Sequence, residues 1–496
     1  MFLFSLRALG TAFLWMALGL RPALAESTPQ ATASPQATAS PTFRPAPLFS
    51  PTDLSLTTLP NGVRALVKRA PGADTLAVQV WVRAGSRYES DRDAGVAHLV
   101  ETAAVRASKN NPARTTGDGG LAGAMRRIGG DAGALTSRDA TFYSATVATP
   151  FARAACEALA DAVLRPDLSD AAVEESKLAV ADDLTRRSLD SVAFASDLAY
   201  ATAFSRHPYR RSALGSDVSV AGLDGARARA YHSRLYVGAN TTVVLVGDVT
   251  FAQGQQLIAR SFGSLPRGAR ANPSFAPDPL PKKRVAFRRA GLSRDAFALA
   301  WRSTGINNAR DVVALDTLLS LLREGPRANL RRALLRGGED SKTDPPVATA
   351  FEVDFLTQRD PGLFLVTVAG TLDKAAAQRA VLTEIERARE GGLSPDEVTR
   401  AKLQLRRQYI QQGENPSGQA GALGFYDAIS SYEFAVNYLS LCASVTGADL
   451  QRVARRYLAP AALIRVELQP LQPPTPPRPD IPRPGDPNVV TTSFSR

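Results

Sequence analysis

The chain has 496 residues, 44% of them hydrophobic and 21% charged, and a net charge of +12. Such a length suggests two to three domains at about 150 residues each, and the composition excludes a chain that is disordered throughout. The basic residues are scattered through amphipathic segments such as Arg331-Arg332 and Arg406-Arg407 with no nucleic-acid motif among them, so they read as solvated helix faces, with contact to acidic peptides or an anionic membrane surface left open.

In chain order, Arg7, the apolar run from Ala8 to Leu20 and Ala23-Leu24-Ala25 have the layout of a secretory signal over residues 1–25. The run is short for a membrane span. Residues 26–51 repeat Pro-Gln-Ala-Thr-Ala-Ser, a low-complexity tether with too little apolar content to fold. An alternating strand is predicted over Leu76–Val82 and a helix over Gly95–Val105. The pair Gly129-Gly130 reads as a turn leading into a strand within Ala134–Val147. A further helix is predicted over Val173–Arg187. Five prolines between Leu265 and Lys283 mark 266–283 as a linker, which separates a domain at 52–265 from one at 284–469. In the second domain a strand over Phe364–Val368 and a helix over Asp373–Glu390 complete the pattern, and residues 470–496 read as a proline-rich tail. The fold class is α+β, two α/β-layered halves with helices packed on a sheet. Cys156 and Cys442 lie in apolar helical patterns in different halves and read as small buried hydrophobes.

The halves repeat one another. Leu168-Ser169, Val173, Lys177 and Leu178 recur without a gap as Leu393-Ser394, Val398, Lys402 and Leu403, and Arg234-Leu235-Tyr236 recurs as Arg455-Arg456-Tyr457.

Chemistry is sought in Trp81-Val82-Arg83-Ala84-Gly85-Ser86-Arg87-Tyr88-Glu89 and then Gly95-Val96-Ala97-His98-Leu99-Val100-Glu101-Thr102, where a helix sets His98, Glu101 and Thr102 on one face. This passage resembles the inverted zinc motif, H-x-x-E-H, of the pitrilysin/insulinase metallopeptidases. The likeness extends through Leu59-Pro60-Asn61-Gly62, Thr141-Phe142-Tyr143, His207-Pro208-Tyr209 and Gly247-Asp248. The resemblance implies that His98 stands at the first zinc ligand, Glu101 at the general base, and Asp183 at the distal glutamate ligand. Thr102 stands where the second histidine belongs. A catalytic zinc needs three protein ligands and an open position, and a threonine hydroxyl is a poor replacement for imidazole, so His98, Asp183 and Glu101 are read as vestigial. The family's substrate-holding arginine falls nearest Arg336, on a segment Leu321–Leu335 that resembles the arginine-bearing helix. Its tyrosine has no counterpart, since none occurs between Trp301 and Gln408.

The signal layout implies an exported protein, periplasmic in a Gram-negative bacterium, and the resemblance with its broken motif implies a chain with no cofactor of its own. It would pair with an active, zinc-bearing homologue that processes peptides. Two alternatives stay open: a zinc metalloendopeptidase with unusual ligands, using zinc through Asp183 or Asp182, and a non-enzymatic binding or assembly protein on the same fold.

Overall fold

The computed structural model describes residues 48–112, 119–324, 329–336 and 345–471. The predicted signal, nearly all of the tether and the tail beyond 471 lie outside the described residues. Among the described residues no helix is long and apolar enough to cross a membrane.

Two mixed sheets organise the chain. The first takes β1 (Leu54–Thr58), β2 (Arg64–Arg69), β3 (Thr75–Val82), β4 (Asp131–Thr136), β5 (Thr141–Ala148) and β6 (Thr241–Gly247) in the order β1-β2-β6-β3-β5-β4. The second takes β7 (Val285–Ala290), β8 (Ala296–Arg302), β9 (Ala348–Phe355), β10 (Leu363–Thr371) and β11 (Ile464–Pro470) in the order β7-β11-β8-β10-β9. Without β1, the first order maps onto the second strand for strand. Each sheet has one parallel pair, β2 with β6 and β7 with β11, in matching positions, and its other pairs are antiparallel. The stretch read as one strand across Ala134–Val147 is two, β4 and β5, because Ser137 turns the chain: its backbone N–H donates to the Ala140 carbonyl (2.8 Å) and its hydroxyl to the same oxygen (2.8 Å).

The sequence echo has a physical basis. Ser169 and Ser394 each cap a long helix, Asp170–Leu189 and Pro395–Gln412, by accepting a backbone N–H at its first turn. Lys177 then donates to the Ala221 carbonyl (3.2 Å), at the end of the helix Asp217–Ala221. Lys402 donates to the Ala443 and Val445 carbonyls (2.6 and 2.9 Å), at the end of the helix Glu433–Ser444. Both lysines put a cation at the negative end of a neighbouring helix.

Side chains alternate across each strand, so every sheet has two faces to cover. Val78, Val80 and Val82 of β3 join the core beneath the helices Val96–Arg106 and Ala152–Leu164, while Ala77 and Trp81 face the other way into a core shared with the second half. That opposite face is covered by the helix Pro416–Ile429, which packs on β3 and β6. The halves reciprocate, because the helix Ser191–Ala203 of the first half covers β8, β10 and β11 of the second through Ala195, Ala199 and Ala203. Small residues permit both approaches: a Cβ at Gly424 would lie 2.1 Å from Trp81 Nε1. A bidentate pair fixes the exchanged helix, with the partly buried Arg64 donating to the buried Asp427 at 2.7 and 2.9 Å and the Thr242 hydroxyl adding a bond of 2.7 Å. Cys156 and Cys442 are unpaired and buried in separate cores.

Candidate functional site

The helix Val96–Arg106 starts abruptly after Gly95, whose φ of 94° is open to glycine at little cost. A Cβ there would also meet the Leu214 carbonyl at 2.9 Å. No side chain at the cap position serves the first turn, and Glu89 does so from upstream: its carboxylate accepts the N–H groups of Gly95 (3.1 Å) and Ala97 (2.9 Å). An anion at a helix N-terminus also meets the positive end of the dipole. Burial pushes Glu89 up to about 7 against those two bonds.

From this helix His98 projects between two carboxylates. Its Nδ1 is 2.9 Å from Glu101 Oε2, one turn on, and its Nε2 is 3.1 Å from Asp183 Oδ2 on the helix Asp170–Leu189. Arg186 pairs with the other oxygen of Asp183, and the Thr136 hydroxyl, at the end of β4, donates to Glu101 at 3.3 Å. The side chains of His98, Glu101 and Asp183 are 12%, 10% and 32% exposed. Burial opposes a charge on His98, but hydrogen bonds to Asp183 and Glu101 outweigh it and raise its pKa to about 10. Burial likewise works against the Asp183 anion, and the bonds from His98 and Arg186 reverse that and lower its pKa. Two cations and two carboxylates therefore neutralise one another, and Glu101 has an imidazolium as its nearest partner, a poor arrangement for a general base.

The predicted residues His98, Glu101 and Asp183 thus come together, but as an ion cluster. Both ring nitrogens of His98 are taken by carboxylates, Thr102 beside them is a partly buried alcohol that takes no part in these bonds, and Asp182 is exposed. His207 accepts the Tyr209 N–H at Nδ1 (3.2 Å) and places Nε2 3.0 Å from Asp360, while His232 donates to the Val163 carbonyl (2.8 Å). Among the described residues no group of three or more His, Cys, Asp or Glu is placed to hold a metal ion. One protonated imidazole with both N–H groups given to carboxylates, two paired carboxylates and a hydroxyl do not fit a catalytic zinc, which wants three free protein donors at about 2.0–2.2 Å. Arg336 ends a π-helical turn, Arg332–Arg336, and its side chain lies outside the described residues. Predicted as one segment, Leu321–Leu335 contains the end of the helix Ala309–Arg323 and, past residues outside the description, that turn.

Residues 64–217 match the family model of the insulinase peptidases, M16, and residues 223–405 match the model of the M16 inactive domain. The chain belongs to the M16 family. A protein of Mycobacterium bovis named as an uncharacterized zinc protease is 33% identical over 215 residues, which are 43% of this chain and 48% of that protein, so this alignment spans about half of the relative's length. Zinc protease PqqE of Helicobacter pylori is 25% identical over 423 residues, 83% of this chain and 92% of that protein. A mitochondrial-processing peptidase subunit beta of Blastocladiella emersonii is 29% identical over 217 residues, 43% of this chain and 45% of that one. Among solved structures, a protease from Helicobacter pylori superposes with a TM-score of 0.75 at 23% identity, covering 84% of this chain and 99% of its own. M16 relatives thus include named zinc proteases and a named subunit of a peptidase, and the two-sheet α+β architecture is that of the family.

Glu89 closes the first passage in which chemistry is sought but carries no predicted role, and Thr136 and Arg186 lie outside both passages. Arg186 carries the only local signal, its i,i+3 spacing from Asp183; Glu89 and Thr136 reach the site through turns whose geometry no short motif reports.

Proposed function

We propose that this chain is an exported M16 protein that has lost its own metal centre and serves as the non-catalytic partner of a zinc-bearing relative in peptide or protein processing. One observation carries the proposal: the His98 ring sits between Glu101 and Asp183, at 2.9 and 3.1 Å, with an alcohol at 102 where a further donor is needed. The cluster is self-neutralising and leaves no base free to activate water.

Peptide holding is compatible with this loss. β4 is the edge strand of the first sheet and ends beside Glu101 through Thr136, so an extended peptide has an unpaired ladder to join. Support for a partner comes from a relative named as a subunit.

The test is metal content and peptidase activity of the purified chain, together with pull-down from native envelope extract. Substoichiometric zinc, no hydrolysis alone and co-purification of a zinc-bearing M16 protein are expected. One zinc per chain, with hydrolysis abolished by Glu101→Gln, would overturn the proposal.

A second reading, an active metalloendopeptidase, is favoured by the approach of Asp183 Oδ2 to the His98 nitrogen and by the names of the relatives. The same zinc measurement separates the two.

A further inference from the structure

At the joint of the two halves lies a cavity of about 670 Å³ that shares no lining residue with the His98 cluster. The first half contributes Arg87 and His207, the linker contributes Arg270 and residues 272–278, and the second half contributes Arg302 and residues 359–361. A volume in this range is that of small-ligand sites, which run from roughly 300 to 1,000 Å³.

Its charges do not balance. Four guanidiniums line it, from Arg87, Arg270, Arg302 and Arg359, against the carboxylates of Asp278 and Asp360. Both carboxylates are already satisfied. Asp360 takes Arg87 Nη2 at 2.6 Å and lies 3.0 Å from His207 Nε2, and Asp278 accepts the backbone N–H groups of Ser205, Arg206 and His207 at 3.0, 3.0 and 2.9 Å with Arg302 3.7 Å away. Arg302 spends its remaining donors on the Ala203 and Asp278 carbonyls.

Two arginines are left over. Arg270 forms no ion pair or hydrogen bond among the described residues, and the Arg359 guanidinium donates only to the neutral Asn272 side chain. Arg270 is exposed and Arg359 partly buried; desolvation, then the charges of Arg359 and Arg64, lower the Arg270 pKa. Beneath them Arg87, 3% exposed, keeps a buried Nη1 with no partner. Water reaches Arg270 and Arg359, whereas the buried Arg87 Nη1 is a donor without a partner, which is costly unless an anion meets it, and the planar fork of arginine matches phosphate and carboxylate oxygens.

We propose that this cavity is a binding site for a small, multiply charged oxyanion, held chiefly by Arg270 and Arg359, that bridges the first half, the linker and the second half. Because the ligand contacts both halves, its binding raises the unfolding temperature of the whole chain.

The test is calorimetric titration and thermal unfolding of the full chain at constant ionic strength, with inorganic phosphate, pyrophosphate and citrate as probes. Saturable one-to-one binding with a rise in unfolding temperature is expected, weakened about tenfold or more in R270Q and further in R270Q/R359Q. The variant K282Q/K283Q removes the same charge as the double variant from exposed linker positions that do not line the cavity, and it should bind as the parent does. Preference for the two phosphate probes assigns a phosphate ligand; equal binding of citrate assigns oxyanions in general, carboxylates included. Absence of saturable binding for all three, or equal weakening in K282Q/K283Q, would overturn the site.

Discussion

The charge on His98 makes folding stability depend on pH in a direction and window set by the cluster. Its pKa rises from 6.5 to about 10 on folding. A raised folded-state value means the cation is stabilised by the fold, so the contribution is complete below the unfolded value and is lost as pH climbs through the folded one. A shift of that size corresponds to an upper bound of about 5 kcal/mol at ~1.36 kcal/mol per pH unit. Asp183 is 32% exposed, and water screens its share, so about 2–3 kcal/mol of loss between pH 6 and pH 10 is expected. The perturbation is His98→Gln, which removes the titration and leaves the carboxylates in place. Urea unfolding of the parent and variant at half-unit pH steps gives the difference directly, because other titrating groups cancel. The chain has only three histidines, so imidazole NMR with His207→Gln and His232→Gln assigns each resonance. A parent-minus-variant difference that stays flat from pH 6.5 to 10, or three imidazoles all titrating below pH 7.5, would refute the cluster.

Further outcomes follow from the same structure. Asp427→Ala removes the partner of the Arg64 guanidinium and the Thr242 hydroxyl between the halves and, with Arg64 25% exposed, should cost about 1–3 kcal/mol in chemical denaturation. Gly424→Val drives a side chain into Trp81 and should cost at least ~1–3 kcal/mol, with a shift in tryptophan emission. Thr102→His alone should leave zinc binding and peptide hydrolysis far short of an intact family site, because Asp183 stays tied to Arg186; robust zinc-dependent hydrolysis from that single variant would contradict the ion-cluster account. Glu89→Ala should expose the first turn of the helix Val96–Arg106, losing about 0.5–2 kcal/mol, read as faster amide exchange at Gly95 and Ala97.

Much of the fold was legible because its signals are local. The predicted strand Leu76–Val82 is β3 but for one residue, and the predicted helix Asp373–Glu390 begins one residue later, at Lys374, with Asp373 as its cap. The repeat was visible in Ser169 and Ser394 because capping depends on a few adjacent residues. Less legible was Ala134–Val147, since apolar content runs through both strands and only Ser137 hydrogen bonding betrays the turn. The exchange of helices between halves left no local trace beyond the glycines of Pro416–Ile429, since alternation shows that a face is apolar without naming what covers it.

By itself the sequence determined that an imidazole is missing at position 102 and that one architecture is used twice, because identity and spacing along a chain are properties of the chain. It also set His98 one turn before Glu101. Only the tertiary structure decided what His98 does: Asp183, 85 residues away, closes on its free nitrogen while Arg186 holds that carboxylate in place. Such a pairing depends on how two helices pack against each other, and no stretch of either helix encodes that packing alone.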